Sequence, residues 1–262
     1  MAKIRSHNID IYYEMHGNPD AARTIIFAHG MGGNAAIWFN QIARFKADYR
    51  IMAFDHRYFA RSGCSVDDFD PKKFPDDVLA IMAQEKIESA IFVCQSMGGW
   101  TGSQLAISHP EKVDALVMSH TPGIFFHPEA INDPKEVAHK ISTLGAETLP
   151  ALAHDYPAKT PTGALLYQMI SAFNAIDNAV IPQKINAAKL GINTSELKDY
   201  SVPTLFITGD LDILFPSHFI QALAGTLTGA SSVNLGAVGH SSYFEAPDAF
   251  NQVLSEFLST LD

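Results

Sequence analysis

The sequence predicts an α/β fold: a mostly parallel central sheet with helices on both faces and a helical lid insertion. Two observations support this prediction. Short, continuously apolar segments alternate with segments of helical period in the first part of the chain, which is typical of strands buried on both faces of a parallel sheet. The alternation then stops between residues 122 and 199 and resumes afterwards.

The predicted elements follow one another in a simple order. Residues 3–6 and 9–15 form an N-terminal hairpin, because the second segment partly alternates between apolar and polar residues. Helices at 75–85 and 98–109 connect successive strands by right-handed crossovers, and an amphipathic helix at 246–258 closes the chain. The predicted buried strands are residues 24–28, 50–54, 90–94, 115–119 and 204–208, with a further strand at 232–235.

The insertion has a different pattern. Residues 122–199 contain no strand candidate, only segments of helical period such as 134–144 and 163–176, with prolines between them. We therefore expect a core domain of residues 1–121 and 200–262, with residues 122–199 as a helical lid, or cap domain, on the edge of the sheet.

Composition excludes several classes of partner. The chain has 262 residues, of which 18 are basic and 28 acidic, and the resulting net charge of −10 repels nucleic acid and anionic membranes. We expect neither as a partner. Cys64 and Cys94 are too few for a disulfide framework, and the first residues lack the apolar segment of a secretory signal, so we expect a cytoplasmic protein. The sequence does not predict an oligomeric state.

A serine with small neighbours follows the third buried strand. Residues 90–99 read AIFVCQSMGG, which places Ser96 on a tight turn between strand and helix, with its hydroxyl above the carboxyl end of the sheet. This segment resembles the nucleophile elbow of the α/β-hydrolase family, whose pattern is G-x-S-x-G. Gly98 matches the second glycine, and Cys94 replaces the first.

The resemblance implies a catalytic triad with an acid and then a histidine after the serine. Asp212 lies three residues beyond Gly209, and His240 follows 28 residues later. In such a triad Ser96 is the nucleophile, His240 takes and returns its proton, and Asp212 orients the histidine. Asp210 is the competing acid, and the resemblance favours Asp212.

The resemblance also implies an oxyanion hole made of two backbone N–H groups. One belongs to Met97, the residue after the nucleophile. The other is nominated by residues 29–32, HGMG, which resemble the family's His-Gly-x-Gly turn and point to Met31. A further family segment, Asp-x-Arg-Gly-x-Gly-x-Ser, is matched by residues 55–62, where Tyr58 and Ala60 replace the glycines and question the conformation of the loop.

Candidate substrate-binding residues follow from position alone. Trp38 and Trp100 come after the oxyanion segment and the elbow, and Phe125 and Phe126 begin the lid; ordinary packing is the alternative for each. All six arginines precede residue 62, so the lid has none to hold a substrate carboxylate, and we expect an uncharged small-molecule substrate. Lysines in the lid remain possible substitutes.

The other histidines have no catalytic context. We expect His29 to shape its turn by a hydrogen bond to the backbone. Four more are expected on the surface or in the lid, and because no pair has zinc-type spacing with a third ligand, we predict neither a metal nor a cofactor. These four are His120, His127, His139 and His154.

Together these features predict a serine esterase or lactonase that cleaves a small, mostly apolar carboxylic ester or lactone through an acyl-enzyme on Ser96. Three alternatives remain open: a carbon–carbon bond hydrolase of ring-cleavage products, a cofactor-free oxygenase or perhydrolase, and a ligand-binding receptor on a hydrolase fold. Activity that depends on a carboxylate in the substrate would indicate the carbon–carbon bond hydrolase. A need for dioxygen or peroxide would indicate the oxygenase or perhydrolase, and very slow turnover would indicate the receptor.

Overall fold

A computed structural model describes residues 2–144, 149–176 and 180–261. Within these residues the chain forms ten strands and ten α-helices. The strands are β1 (Ala2–Ser6), β2 (Ile9–Gly17), β3 (Thr24–Ala28), β4 (Arg50–Phe54), β5 (Ala90–Gln95), β6 (Val113–Ser119), β7 (Phe125–Phe126), β8 (Ile192–Asn193), β9 (Thr204–Thr208) and β10 (Ala230–Asn234). The helices are α1 (Phe39–Phe45), α2 (Phe74–Gln84), α3 (Gly98–Ser108), α4 (Pro134–Leu144), α5 (Tyr156–Lys159), α6 (Pro161–Ser171), α7 (Val180–Ala188), α8 (Ser217–Ala224), α9 (Ser242–Glu245) and α10 (Pro247–Ser259).

Eight of the strands form one mostly parallel sheet in the order β1-β2-β4-β3-β5-β6-β9-β10. The predicted hairpin is confirmed, because β1 and β2 pair antiparallel. β2 is also antiparallel to β4, and every later pair in the sheet is parallel. The α/β fold class predicted from the sequence is therefore confirmed.

The sheet is covered on both faces, as continuously apolar strands require. Alternate residues of one strand point to opposite faces, so Phe92 packs in one hydrophobic cluster and Val93 in the other. The first cluster includes residues of α2, α3 and α8, and the second includes residues of α1 and α10. This packing holds the carboxyl ends of the parallel strands side by side at one edge of the core.

Residues 122–199, the predicted insertion, contain α4 to α7, but the expectation that they include no strand is wrong. β7 and β8 pair in parallel as a separate sheet of two residues each. Periodicity has no meaning over two residues, so sequence patterns cannot show such strands. Helix α6 ends at Ser171, earlier than the predicted 176; a turn at residues 172–173 follows, and Asn174 beyond it donates its side-chain N–H to Gly33 O.

No α-helix in the described ranges combines the length and the apolar character needed to cross a membrane.

Candidate active site

Ser96 occupies the turn between β5 and α3, and it has left-handed backbone geometry, with φ +49°. Such a value is unfavourable for a residue with a side chain, and it is typical of strained functional turns. The backbone N–H of Ser96 donates to Ser119 O of the neighbouring strand at 3.1 Å. The turn is thus anchored to the sheet.

Glycine is required on the helical side of this turn. A Cβ atom at Gly98 would lie 2.2 Å from Ala28 O, and one at Gly30 would lie 2.9 Å from the Ser96 Cβ. Helix α3 therefore begins in direct contact with the segment that follows β3. Cys94, which replaces the first glycine of the family pattern, is fully buried, and its sulfur packs against Gly102 of α3.

Asp212 and His240 are hydrogen bonded to each other. His240 Nδ1 lies 3.0 Å from Asp212 Oδ2, while the backbone N–H groups of Leu214 and Phe215 donate to Oδ1 at 2.8 and 3.0 Å. Burial alone would raise the pKa of Asp212, but the attraction of His240 and the hydrogen bonds from His120 and His240 hold it well below its ordinary value. Asp212 is therefore ionised and accepts a hydrogen bond from the His240 Nδ1–H group.

Asp210, the competing acid, lies elsewhere. Its side chain is exposed, and its Oδ1 accepts a hydrogen bond from Asn234 Nδ2 at 2.7 Å. Of the two acids, it is Asp212 that the structure places against His240.

A second histidine contacts Asp212. His120 follows β6, is completely buried, and places its Nδ1 2.9 Å from Asp212 Oδ2 and its Nε2 2.8 Å from the hydroxyl of Ser242. The expectation that His120 lies on the surface or in the lid is wrong, because the carboxyl end of β6 adjoins that of β9 in the sheet. By contrast, His139 and His154 are exposed, as expected.

The cluster of His120, Asp212 and His240 also has the composition of a metal site, with one possible ligand atom of each residue within 4.8 Å of the others. However, the hydrogen bonds to Asp212 Oδ2 place protons on the same two Nδ1 atoms that a metal ion would need. We therefore assign no metal to this cluster.

The candidate oxyanion residues lie beside Ser96. Met31 lines the same cavity as Ser96, and Met97 is buried at the start of α3. His29 shapes the turn before Met31, as expected: its Nδ1 donates to Gly30 O at 2.7 Å and its Nε2 accepts from the His56 backbone N–H at 3.0 Å. Burial lowers the pKa of His29 to about 4, so the ring is neutral at pH 7.

The loop of residues 55–62 keeps a conformation that normally needs glycine. Tyr58 and Ala60 have φ values of +78° and +39°. Side-chain bonds stabilise this loop, since Arg61 Nε donates to Asp55 Oδ2 at 2.7 Å and Ser62 Oγ accepts from the Tyr12 backbone N–H at 2.8 Å. The two replacements therefore strain the loop without opening it.

Ser96 and His240 line one cavity of about 380 Å³ between the sheet and the inserted segment. A volume of this size holds a small organic molecule. Among the described residues that line it, none is Asp, Glu, Lys or Arg. The inserted segment contributes mostly apolar side chains and a few neutral polar ones, namely Ile141, Leu149, Pro150, Ala151, Tyr167, Ser171, Asn174 and Ile176.

None of the four aromatic candidates for substrate binding lines this cavity, which corrects that expectation. Trp38 is fully buried in the core and packs between Phe27 and Tyr243, at ring-centroid distances of 4.9 and 4.5 Å. Trp100, Phe125 and Phe126 line a different groove, beside α7. Large aromatic side chains fill cores more often than they contact ligands, and position in the sequence does not distinguish the two uses.

Comparison with known proteins identifies the family and the fold. The family model described as "alpha/beta hydrolase fold" matches residues 23–247. This chain belongs to the alpha/beta hydrolase family. Among similar alpha/beta hydrolases, a putative carbamate hydrolase RutD of Azorhizobium caulinodans is 26% identical over 97% of this chain and 96% of its own length. A pimeloyl-[acyl-carrier protein] methyl ester esterase of Yersinia enterocolitica is 26% identical over 94% of this chain and 96% of its own.

Solved structures of other alpha/beta hydrolases share the fold. The enol-lactonase from Burkholderia xenovorans LB400 superposes with a TM-score of 0.80 at 24% identity, covering 98% of this chain and 99% of that one. Est816, described as an N-acyl homoserine lactone degrading enzyme, has a TM-score of 0.79 at 23% identity, with coverages of 97% and 99%. At these identities the likeness concerns the fold alone.

Proposed function

We propose that this alpha/beta hydrolase cleaves a small, mostly apolar carboxylic ester or lactone through an acyl-enzyme on Ser96. The observation that carries the proposal is the cavity that Ser96 and His240 line together, with Asp212 hydrogen bonded to Nδ1 of His240. Inserted segment 122–199 acts as the lid of this cavity, since eight of its residues line it.

In the first step Ser96 Oγ attacks the carbonyl carbon of the ester. The carboxylate of Asp212 keeps the proton of His240 on Nδ1, so Nε2 carries a lone pair and takes the proton of the serine hydroxyl. The imidazolium that forms is stabilised by Asp212. It then returns this proton to the alcohol oxygen as the bond between that oxygen and the carbonyl carbon breaks.

The negative charge that develops on the carbonyl oxygen needs hydrogen-bond donors. In this proposal the backbone N–H groups of Met31 and Met97 supply them, because Met97 follows the nucleophile and Met31 lies in the cavity wall. In the second step His240 takes a proton from water, the hydroxide attacks the acyl carbon, and Ser96 leaves as its hydroxyl. The products are one carboxylic acid and one alcohol; a lactone gives a single hydroxy acid.

The cavity wall supports a neutral substrate. A substrate carboxylate would be desolvated against apolar side chains such as Ile141, Leu149 and Ile176, and no cation of the described lining would compensate it. This arrangement disfavours hydrolysis of carboxylate-bearing ring-cleavage products.

A carbamate is a second candidate substrate. It is favoured by the similarity to putative carbamate hydrolases over nearly the whole chain. The same residues would attack its carbonyl group, with an amine or ammonia in place of the alcohol as leaving group. A carbamate turned over faster than the matched ester would favour this second candidate over the first.

The test compares wild type, Ser96→Ala and Ser259→Ala on p-nitrophenyl acetate, p-nitrophenyl butyrate and γ-butyrolactone. Ser259 is an exposed serine of α10 and serves as the matched control. We expect Ser96→Ala to lower kcat by at least about a thousandfold and Ser259→Ala to leave it unchanged. Equal activity of wild type and Ser96→Ala would overturn the proposal.

A further inference from the structure

His120 is a buried titratable residue that the reaction described above does not use. It follows the last residue of β6 and has a φ of +54°, a left-handed value that is uncommon for residues other than glycine. Its ring is completely buried and lies 5.8 Å from the ring of His240, edge to face. A strained, buried histidine beside a candidate active site indicates a role that compensates the strain.

Hydrogen bonds determine which ring nitrogen of His120 carries the proton. Asp212 Oδ2 only accepts, so Nδ1 of His120 must donate to it. Burial lowers the pKa of His120 more than Asp212 raises it, so the ring is neutral and its Nε2 accepts from the hydroxyl of Ser242. The chain of bonds therefore runs from Ser242 through His120 and Asp212 to His240.

Two N–H groups thus share one carboxylate oxygen, at 2.9 Å from His120 and 3.0 Å from His240. Each donor reduces the negative potential that the oxygen offers to the other. We propose that His120 is a positioning residue that weakens the hold of Asp212 on protonated His240, and so keeps His240 available as a base at lower pH. The role in catalysis rests on the proposed function, whereas the effect on His240 protonation does not.

Two carboxylates lie next to the pair of histidines. Asp212 lies between the two rings, and Glu245 of α9 accepts from the backbone N–H groups of Gly239 and Ser241, on either side of His240. Both carboxylates interact with His240. Each carboxylate attracts a positive charge on the His240 ring, and the N–H of His120 counteracts the attraction of Asp212.

Substitutions at His120 distinguish loss of its hydrogen bond to Asp212 from a general disturbance of the fold. His120→Asn keeps an N–H donor close to the position of Nδ1 and tolerates the left-handed backbone. His120→Ala removes the donor, and His120→Gly, which suits a positive φ, serves the same purpose where the alanine variant does not fold. Ester hydrolysis is measured as kcat/KM against pH. Independently, NMR follows the His240 ring signals against pH, assigned by their loss in His240→Gln.

We expect the variant without the donor to protonate His240 at a pH about one unit higher than wild type, a tenfold change in the equilibrium, and the acid limb of kcat/KM to move with it. His120→Asn should remain close to wild type. An unchanged or lowered midpoint in the donorless variant, or equal shifts in both, would overturn the inference. If no protein hydrolyses the ester, the proposed function fails, and the NMR midpoints still decide the role of His120.

Discussion

At the scale of single residues, the site depends on how Asp212 is held. Its two oxygens accept four hydrogen bonds, two from the backbone after β9 and two from imidazole rings. This arrangement keeps the carboxylate ionised and fixes its orientation toward His240. Asp210, two residues earlier, has none of these contacts.

Replacing the two acids distinguishes them. We expect Asp212→Ala to lower kcat by about a thousandfold to ten-thousandfold, because His240 loses both its tautomer and the stabilisation of its charged form. Asp210→Ala, the matched control, should stay close to wild type. Steady-state kinetics on one ester measures both, and equal losses would contradict the assignment of Asp212.

The roles of residues could be predicted from the sequence where the chemistry of a catalytic site requires a particular residue type. Their locations could not be predicted where tertiary packing alone determines them. Ser96, Asp212 and His240 follow from family motifs, and the structure brings Asp212 and His240 together. His120 was missed, although a polar residue directly after a buried strand beside β9 was an available signal. Trp38 was misplaced because its burial depends on Phe27 and Tyr243, which are distant in the sequence.

At the scale of elements, helix α6 is joined to the segment that carries Met31. Asn34 Nδ2 donates to Ile170 O, and Asn174 Nδ2 donates to Gly33 O, both at 2.9 Å. A Cβ atom at Gly32 would lie 2.5 Å from the Tyr167 hydroxyl, so the side chain of Tyr167 packs directly against Gly32. The position of α6 and that of the candidate oxyanion segment are therefore coupled.

Removing the side chain of Asn34 tests this coupling. Asn34→Ala loses the bond to Ile170 O and the cap on the Ala36 N–H, and we expect a loss of about 2 kcal/mol in unfolding free energy together with a several-fold drop in kcat/KM. Asn186→Ala, an exposed asparagine in α7, is the control. Chemical denaturation and ester kinetics measure the two effects. A variant at Asn34 that behaves like the control would contradict the coupling.

Elements were predictable in proportion to their length and burial. The bounds of the strands in the parallel sheet were predicted to within two residues. Most of these strands are short and continuously apolar, which is typical of strands buried on both faces of a sheet. β7 and β8 were missed, since two residues carry no pattern. The predicted end of α6 was also wrong, since a turn at residues 172–173 follows Ser171 and the Asn174 side chain bonds to Gly33, which is distant in the sequence.

At the scale of the whole molecule, the net charge of the chain and the lining of the cavity both disfavour a negatively charged substrate. The net charge of −10 repels anions at long range, and the cavity of about 380 Å³ has no Asp, Glu, Lys or Arg among its described lining residues. The fold class itself was predictable because alternating strands and helices allow few arrangements of a parallel sheet. The shape of the cavity was not, because it depends on how segment 122–199 packs.

Two esters of equal chain length test the selection against charge. We expect p-nitrophenyl butyrate to be hydrolysed with a kcat/KM at least about tenfold higher than p-nitrophenyl hemisuccinate, since the added carboxylate is desolvated without a partner. The comparison is repeated at high salt, which screens the long-range repulsion. The difference that remains then reports the cost of desolvating the carboxylate in the cavity. A preference for hemisuccinate would contradict a neutral substrate and favour a carboxylate-bearing one.

The most direct measurement of the central claim is the mass of the protein during turnover. Wild type and Ser96→Ala are mixed with p-nitrophenyl butyrate, quenched in acid within milliseconds, and analysed by intact-protein mass spectrometry and peptide mapping. The account predicts a butyryl group on Ser96 in wild type and none in the variant. An active wild type that never carries the group, or carries it on another residue while Ser96→Ala stays active, would contradict an acyl-enzyme on Ser96.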